Sequence, residues 1–114
     1  MRLSITGRGL ELDPELRDEL ERRFRLGLGS WSSRIRRASV YVEDVNGPKG
    51  GLDRRCTIDA SLMPAGVTTV AGLGTTCEAA VRSATRRLVR RMRDELQRRR
   101  VSMRSPLWTR EMRR

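Results

Sequence analysis

Strands with a single apolar face constrain this chain more than any other feature of it. Residues 36–43, Arg-Arg-Ala-Ser-Val-Tyr-Val-Glu, alternate with period two: Ala38, Val40 and Val42 face one way, Ser39, Tyr41 and Glu43 the other. Residues 54–63 repeat the pattern, with Cys56, Ile58, Ala60 and Leu62 on one face. Residues 2–6, Arg-Leu-Ser-Ile-Thr, alternate as a short strand, and residues 67–73, Val-Thr-Thr-Val-Ala-Gly-Leu, as a weaker one. A sheet of such strands has one apolar side, and that side must be covered.

Two stretches have the period to cover it. Asp13-Pro14-Glu15 reads as a helix start, with Asp as N-cap and Pro at the first helical position. Leu16, Leu20 and Phe24 then recur every four residues, and Gly27 and Gly29 are expected to end the helix. The second stretch begins at Thr75 or Thr76 as cap, with Glu78 in the first turn. Cys77, Val81, Ala84, Leu88, Met92 and Leu96 follow at steps of three and four, so one face is apolar to about Arg100. Residues 101–114, with Ser105-Pro106-Leu107-Trp108, have no clear period and read as a basic C-terminal tail, disordered in isolation.

The expected fold is therefore α+β in the order β-α-β-β-β-α. It is a two-layer sandwich, with both helices on one face of a four-stranded, largely antiparallel sheet. Residues 1–100 form one domain. With apolar residues at 37% and aromatics at only 4%, Leu, Val, Ile, Ala and Met must build its core.

Charge narrows the function. There are 25 basic residues against 14 acidic, a formal net charge of +11. Such a field attracts polyanions, nucleic acid first and anionic membrane second. No apolar run approaches the ~20 residues that span a bilayer, and no leader-like apolar run opens the chain, so a cytoplasmic protein without a membrane partner is expected. All the basic residues but Lys49 are arginine. A GC-rich genome explains much of that ratio but not the net charge. Residues 75–100 hold nine Arg against Glu78, Asp94 and Glu95, so the excess is centred on the last third.

Within that third, taking Leu88 as the buried mark, Arg82, Arg86, Arg90, Arg93 and Arg100 fall on the opposite side, within about 80° of one another. Arg87 and Arg91 flank them. A solvated helix face normally mixes signs, whereas Arg82, Arg86 and Arg90 repeat one sign at i, i+4, which costs a few tenths of a kcal/mol per pair. Phosphate contact compensates that cost; an Arg-biased solvated face is the plainer alternative. On the first helix Arg22 and Arg23 join this surface if the two helices lie side by side, whereas Arg17 sits among Glu15, Asp18, Glu19 and Glu21 as on an ordinary wet face.

The segment Asn46-Gly47-Pro48-Lys49-Gly50-Gly51 is a hairpin loop. It lacks the Walker pattern and sits in the wrong setting for one. Two readings stand: a mobile loop, or a basic tip reaching RNA through Lys49, Arg54 and Arg55. Catalysis has almost no support. There is no His, Cys56 and Cys77 match no zinc spacing, and both fall on apolar faces where they pack rather than react. No metal, cofactor or small-molecule substrate is expected. Trp31 is expected to close the core beyond the first helix; Trp108 in the tail has the chemistry to stack on a base.

These residues resemble a family. Met1-Arg2-Leu3-Ser4-Ile5-Thr6-Gly7 and then Leu12-Asp13-Pro14-Glu15-Leu16-Arg17-Asp18 resemble the opening of the ribosome hibernation-promoting factors and ribosome-associated inhibitor proteins. Glu43-Asp44-Val45-Asn46-Gly47-Pro48-Lys49-Gly50-Gly51 with Asp53-Arg54-Arg55-Cys56 resembles a short, glycine-loop subgroup, and Glu78-Ala79-Ala80-Val81 through Arg86-Arg87-Leu88 is similar to the family's closing helix. The resemblance spans about residues 1–97. It implies a fold like that of a double-stranded-RNA-binding domain. It also implies binding of small-subunit ribosomal RNA, on 30S or 70S particles, in the channel between head and body. There the protein would occlude messenger and transfer RNA and hold idle ribosomes inactive. Basic residues of both helices would make the contacts, here Arg87 and Arg90 with Arg23.

Ser30 departs from the basic residue often found after the first helix, and the tail from Val101 has no family counterpart. The C-terminal dimerisation domain of the long members has no counterpart in these residues, so a monomer is expected when free. The family has also been linked by name to modulation of an alternative sigma factor, which no residue pattern here supports. Against a ribosome-associated inhibitor stand a generic double-stranded-RNA binder or RNA chaperone, a basic helix docking an acidic protein, and an enzyme.

Overall fold

The computed structural model describes the backbone of residues 1–45 and 53–112, and side chains no further than residue 99. Its elements run β1 (Arg2–Arg8), α1 (Pro14–Leu28), a 3-10 turn (Gly29–Arg34), β2 (Ile35–Asp44), β3 (Arg54–Leu62), β4 (Val67–Gly74) and α2 (Cys77–Met112). The order is the expected β-α-β-β-β-α.

The strands form one sheet in the order β1-β2-β3-β4. Helix α1 carries the chain back along its starting direction, so β1 and β2 pair in parallel; the other two pairings are antiparallel. Register sets Ile5, Val40, Ile58 and Val70 side by side across all four strands. All four are buried, as are Ala38, Val42, Cys56 and Ala60. The alternation in the sequence thus marks one apolar side, and both helices lie on it.

Helix α1 starts where its cap chemistry places it. The Asp13 carboxylate accepts from Leu16 N at 2.8 Å, satisfying one of the free donors of the first turn. Leu20, Phe24 and Leu28 are buried beneath it. Gly29 ends it with φ 55°, a left-handed conformation that suits glycine. Gly27 does not end it. That residue lies inside the helix, because it is where α1 meets α2: a Cβ there would come to 2.8 Å from Thr85 Cγ2.

Helix α2 begins with Thr76, whose hydroxyl accepts from Ala79 N at 3.0 Å. Cys77, Ala80, Val81, Ala84, Leu88 and Met92 form its buried stripe, with Leu96 half-buried at its end. It lies directly on β4. A Cβ on Gly72 would run into Ala84 N, and one on Gly74 into Ala79 and Ala80. The glycines that make residues 67–73 a weak strand by propensity are what let the helix approach. Trp31 packs against the core from the 3-10 turn, as expected, with the Arg34 guanidinium 5.7 Å from its ring centre.

The second helix differs from expectation in length. The sequence sets its end near Arg100, and the structure carries it to Met112. Arg, Leu and Met are good helix formers and carry the helix past Arg100, although Pro106 in its interior removes a backbone donor and crowds the carbonyl four residues back.

Candidate nucleic-acid interface

Helix α2 buries one stripe, so its other residues are fixed on the outside. Arg82, Arg86, Arg87, Arg90, Arg91 and Arg93 are all exposed. Among the described residues, no acidic side chain forms an ion pair with Arg82, Arg86, Arg87, Arg90 or Arg93. The cost of lining up like charges is therefore not relieved by partners within this part of the protein.

The Gly27–Thr85 contact decides what stands beside them. It brings α1 against α2 so that Arg22 and Arg23 face Arg82 and Arg86 across a groove of about 420 Å³, with Leu26, Gly27 and Thr85 between them. The two helices do lie side by side, and the end of α1 joins the basic surface of α2.

Glu19 organises the α1 bank of this groove. Its carboxylate accepts from Arg22 Nη2 at 2.7 Å and Nε at 3.1 Å, and from Arg23 Nε at 2.8 Å. The Arg22 hydrogen bonds, with help from Arg23, hold the Glu19 carboxyl below the usual carboxylate range. One carboxylate thus fixes two guanidiniums, each with donors to spare. Arg25, one turn further on, reaches only Glu21, at 3.9 Å.

The basic surface continues over α2. Arg82 and Arg86 also line a shallow depression with Arg87 and Arg90 on the outer face of the helix. Arg87 and Arg90 in turn border a third depression, shared with Arg91, with the acidic Asp94 and with Thr69, Val70 and Ala71 of β4. Arg91 Nη1 lies 3.5 Å from the Thr68 hydroxyl there. Three adjoining depressions share arginines pairwise, so the surface is continuous from α1 over α2 to the sheet edge. Arg93 is exposed and borders none of the three.

Arg54 and Arg55 sit elsewhere and are engaged. Arg55 lies opposite Glu43 in the β2–β3 register and donates to it through Nε at 2.9 Å, with Nη2 also 2.9 Å from the same carboxylate oxygen. Arg54 Nη1 lies 3.4 Å from Asp44 and 3.2 Å from Asp53. Both arginines tie down the base of the hairpin, and neither borders the three depressions. Lys49 and the glycine loop lie outside the described residues.

Nucleophilic chemistry finds no footing at the cysteines. Cys56 and Cys77 are buried and unpaired with each other. Burial, and then the neighbouring Cys77, pushes the Cys56 thiol up to about 12; burial also raises Cys77. Thiols held protonated are poor nucleophiles.

Sequence reading places the arginines of both helices and misses the floor between them. Leu26, Gly27, Thr85 and the organising Glu19 belong to this site. The one signal was Gly27, a glycine inside an otherwise sound helical pattern.

Residues 3–100 match the family described as sigma 54 modulation protein / S30EA ribosomal protein. A comparison with curated proteins finds no match. Among solved structures, the chain is similar to a ribosomal subunit interface protein from Coxiella burnetii, with a TM-score of 0.70 at 14% identity over 85% of this chain and 99% of that one. It is also similar to the N-terminal domain of Protein Y from Thermus thermophilus, with a TM-score of 0.63 at 24% identity over 80% and 94% of the two chains.

Proposed function

The chain belongs to the family of sigma 54 modulation proteins and S30EA ribosomal proteins, and from that premise we propose that it is a hibernation factor that binds small-subunit ribosomal RNA and keeps messenger and transfer RNA off idle ribosomes. Membership makes it a ribosome-associated factor of a family not known for enzymes. Its place of work is the cytoplasm, where ribosomes are.

One observation carries the RNA reading: the run of exposed arginines on α1 and α2, which reaches to the edge of β4. Its members Arg82, Arg86, Arg87 and Arg90 have no ion-pair partner among the described residues. A surface of this length suits a folded RNA, where several phosphates lie at fixed spacing. Action by occlusion needs no catalytic group. Arg22 and Arg23 extend the contact on one side and Arg91 on the other, with Arg93 continuing along the helix.

The test is a sucrose gradient of stationary-phase lysate. Co-migration with 30S or 70S particles supports the reading, whereas a position at the top of the gradient with high affinity for any duplex RNA would make the protein a generic RNA binder. Replacing Arg86→Glu and Arg90→Glu together abolishes co-sedimentation and leaves the circular dichroism spectrum intact. Retained co-sedimentation would place the RNA surface elsewhere.

A further inference from the structure

The groove between α1 and α2 has a floor that phosphate contacts leave unexplained. Leu26 is 68% exposed and lines it. Beside it lies Thr85, whose hydroxyl donates to Val81 O at 2.6 Å and is thereby spent inside the helix. Its methyl Cγ2 is the atom that faces Gly27. The floor is thus apolar, and around it stand Arg22, Arg23, Arg82 and Arg86. A site for phosphates alone needs donors and gains nothing from a solvent-facing leucine. Flat groups with an apolar face and a polar rim fit both features together. Nucleobases are such groups: guanidinium planes stack on them, and their edges accept hydrogen bonds.

We propose that this groove takes the base of one unpaired ribonucleotide, turned out of its stack. Its face packs on Leu26, and the phosphates on either side meet Arg82 and Arg86. The groove's volume of about 420 Å³ leaves room for a base and its ribose. Glu19 pairs with both Arg22 and Arg23 at one wall of the groove. This proposal rests on the reading that the arginine surface binds RNA. It adds that the preferred RNA carries an unpaired nucleotide beside a stem.

The test uses the full chain and two RNA stems of equal length, one fully paired and one with a single bulged 2-aminopurine. Their charges differ by one phosphate at most, so electrostatics alone gives nearly equal affinities. The bulged stem binds about tenfold more tightly, the order expected for covering part of a leucine and a base. Its fluorescence rises on binding as the base leaves the stack. Leu26→Ala removes the apolar contact without changing charge, and at an exposed position it leaves the fold intact. In that variant the preference for the bulge, read as the ratio of the affinities for the two stems, disappears. Equal affinity of the parent for the two stems would overturn the proposal, and so would a Leu26→Ala variant that keeps the preference. Failure of both stems to bind would instead sink the RNA reading of the whole surface, and the base site with it.

Discussion

Gly27 of α1 faces Thr85 of α2 so closely that a Cβ on the glycine would fall 2.8 Å from Thr85 Cγ2. Thr85 cannot easily turn aside, because it is buried and its hydroxyl is bonded to Val81 O at 2.6 Å. This contact sets the distance between the two arginine-bearing helices. Alanine at position 27 gains helix propensity of about 1 kcal/mol but overpacks the crossing by roughly 1–3 kcal/mol. Gly27→Ala therefore lowers stability by about 1 kcal/mol. In a Thr85→Ser background the obstructing methyl is gone, and the same change raises stability by up to about 1 kcal/mol. Urea denaturation of the four proteins of this cycle measures the sign reversal. Additive effects would mean that the two residues do not touch.

Salt dependence follows from the run of unpaired arginines. Each phosphate contact releases counterions, so log K falls with log salt by roughly 0.7–0.9 per contact, and five contacts give a slope of roughly −4. Arg86→Gln flattens the slope by about one contact. A slope near zero in the parent would point to an apolar partner.

Arg54 and Arg86 exchange roles under the same substitution. Arg54 bridges Asp44 and Asp53 at the base of the hairpin, where the Asp53 side chain is mostly buried. Arg54→Gln removes that bridge and costs about 1–2 kcal/mol of stability, with little change in RNA affinity. Arg86→Gln weakens RNA binding severalfold and leaves stability within about 0.5 kcal/mol. Measured melting temperatures and RNA affinities for the two variants separate the effects; a large affinity loss at Arg54 would extend the interface to the hairpin base.

High pH tests the buried thiol. The folded protein holds the Cys56 proton up to about 12, whereas the ordinary value is 9.0. The unfolded chain ionises first, so this contribution to stability is intact below pH 9 and declines as pH rises toward 12. The decline is at most about 1.4 kcal/mol per pH unit. Cys56→Ala flattens that part of the stability curve. At pH 8 iodoacetamide leaves both thiols unmodified in the folded protein and labels them in urea.

Local geometry was legible in the sequence. Alternation marked Ala38, Val40 and Val42 for burial, Asp13 and Pro14 marked the start of α1, and the three-and-four steps from Cys77 to Met92 marked the stripe of α2. Each of these is a property of one element, fixed by the two-residue repeat of a strand or the 3.6-residue repeat of a helix. The arginines of α2 could be placed outside for the same reason. Tertiary structure alone decided the rest. Whether a cation is paired depends on a neighbouring strand's register, which set Arg55 opposite Glu43 and left Arg86 without a partner among the described residues. The parallel pairing of β1 with β2 depended on the path of α1 between them. Gly27 read as a helix end because propensity counts only the cost of a missing side chain. Packing uses that absence, since only a residue without Cβ lets α1 close on Thr85 and form the groove.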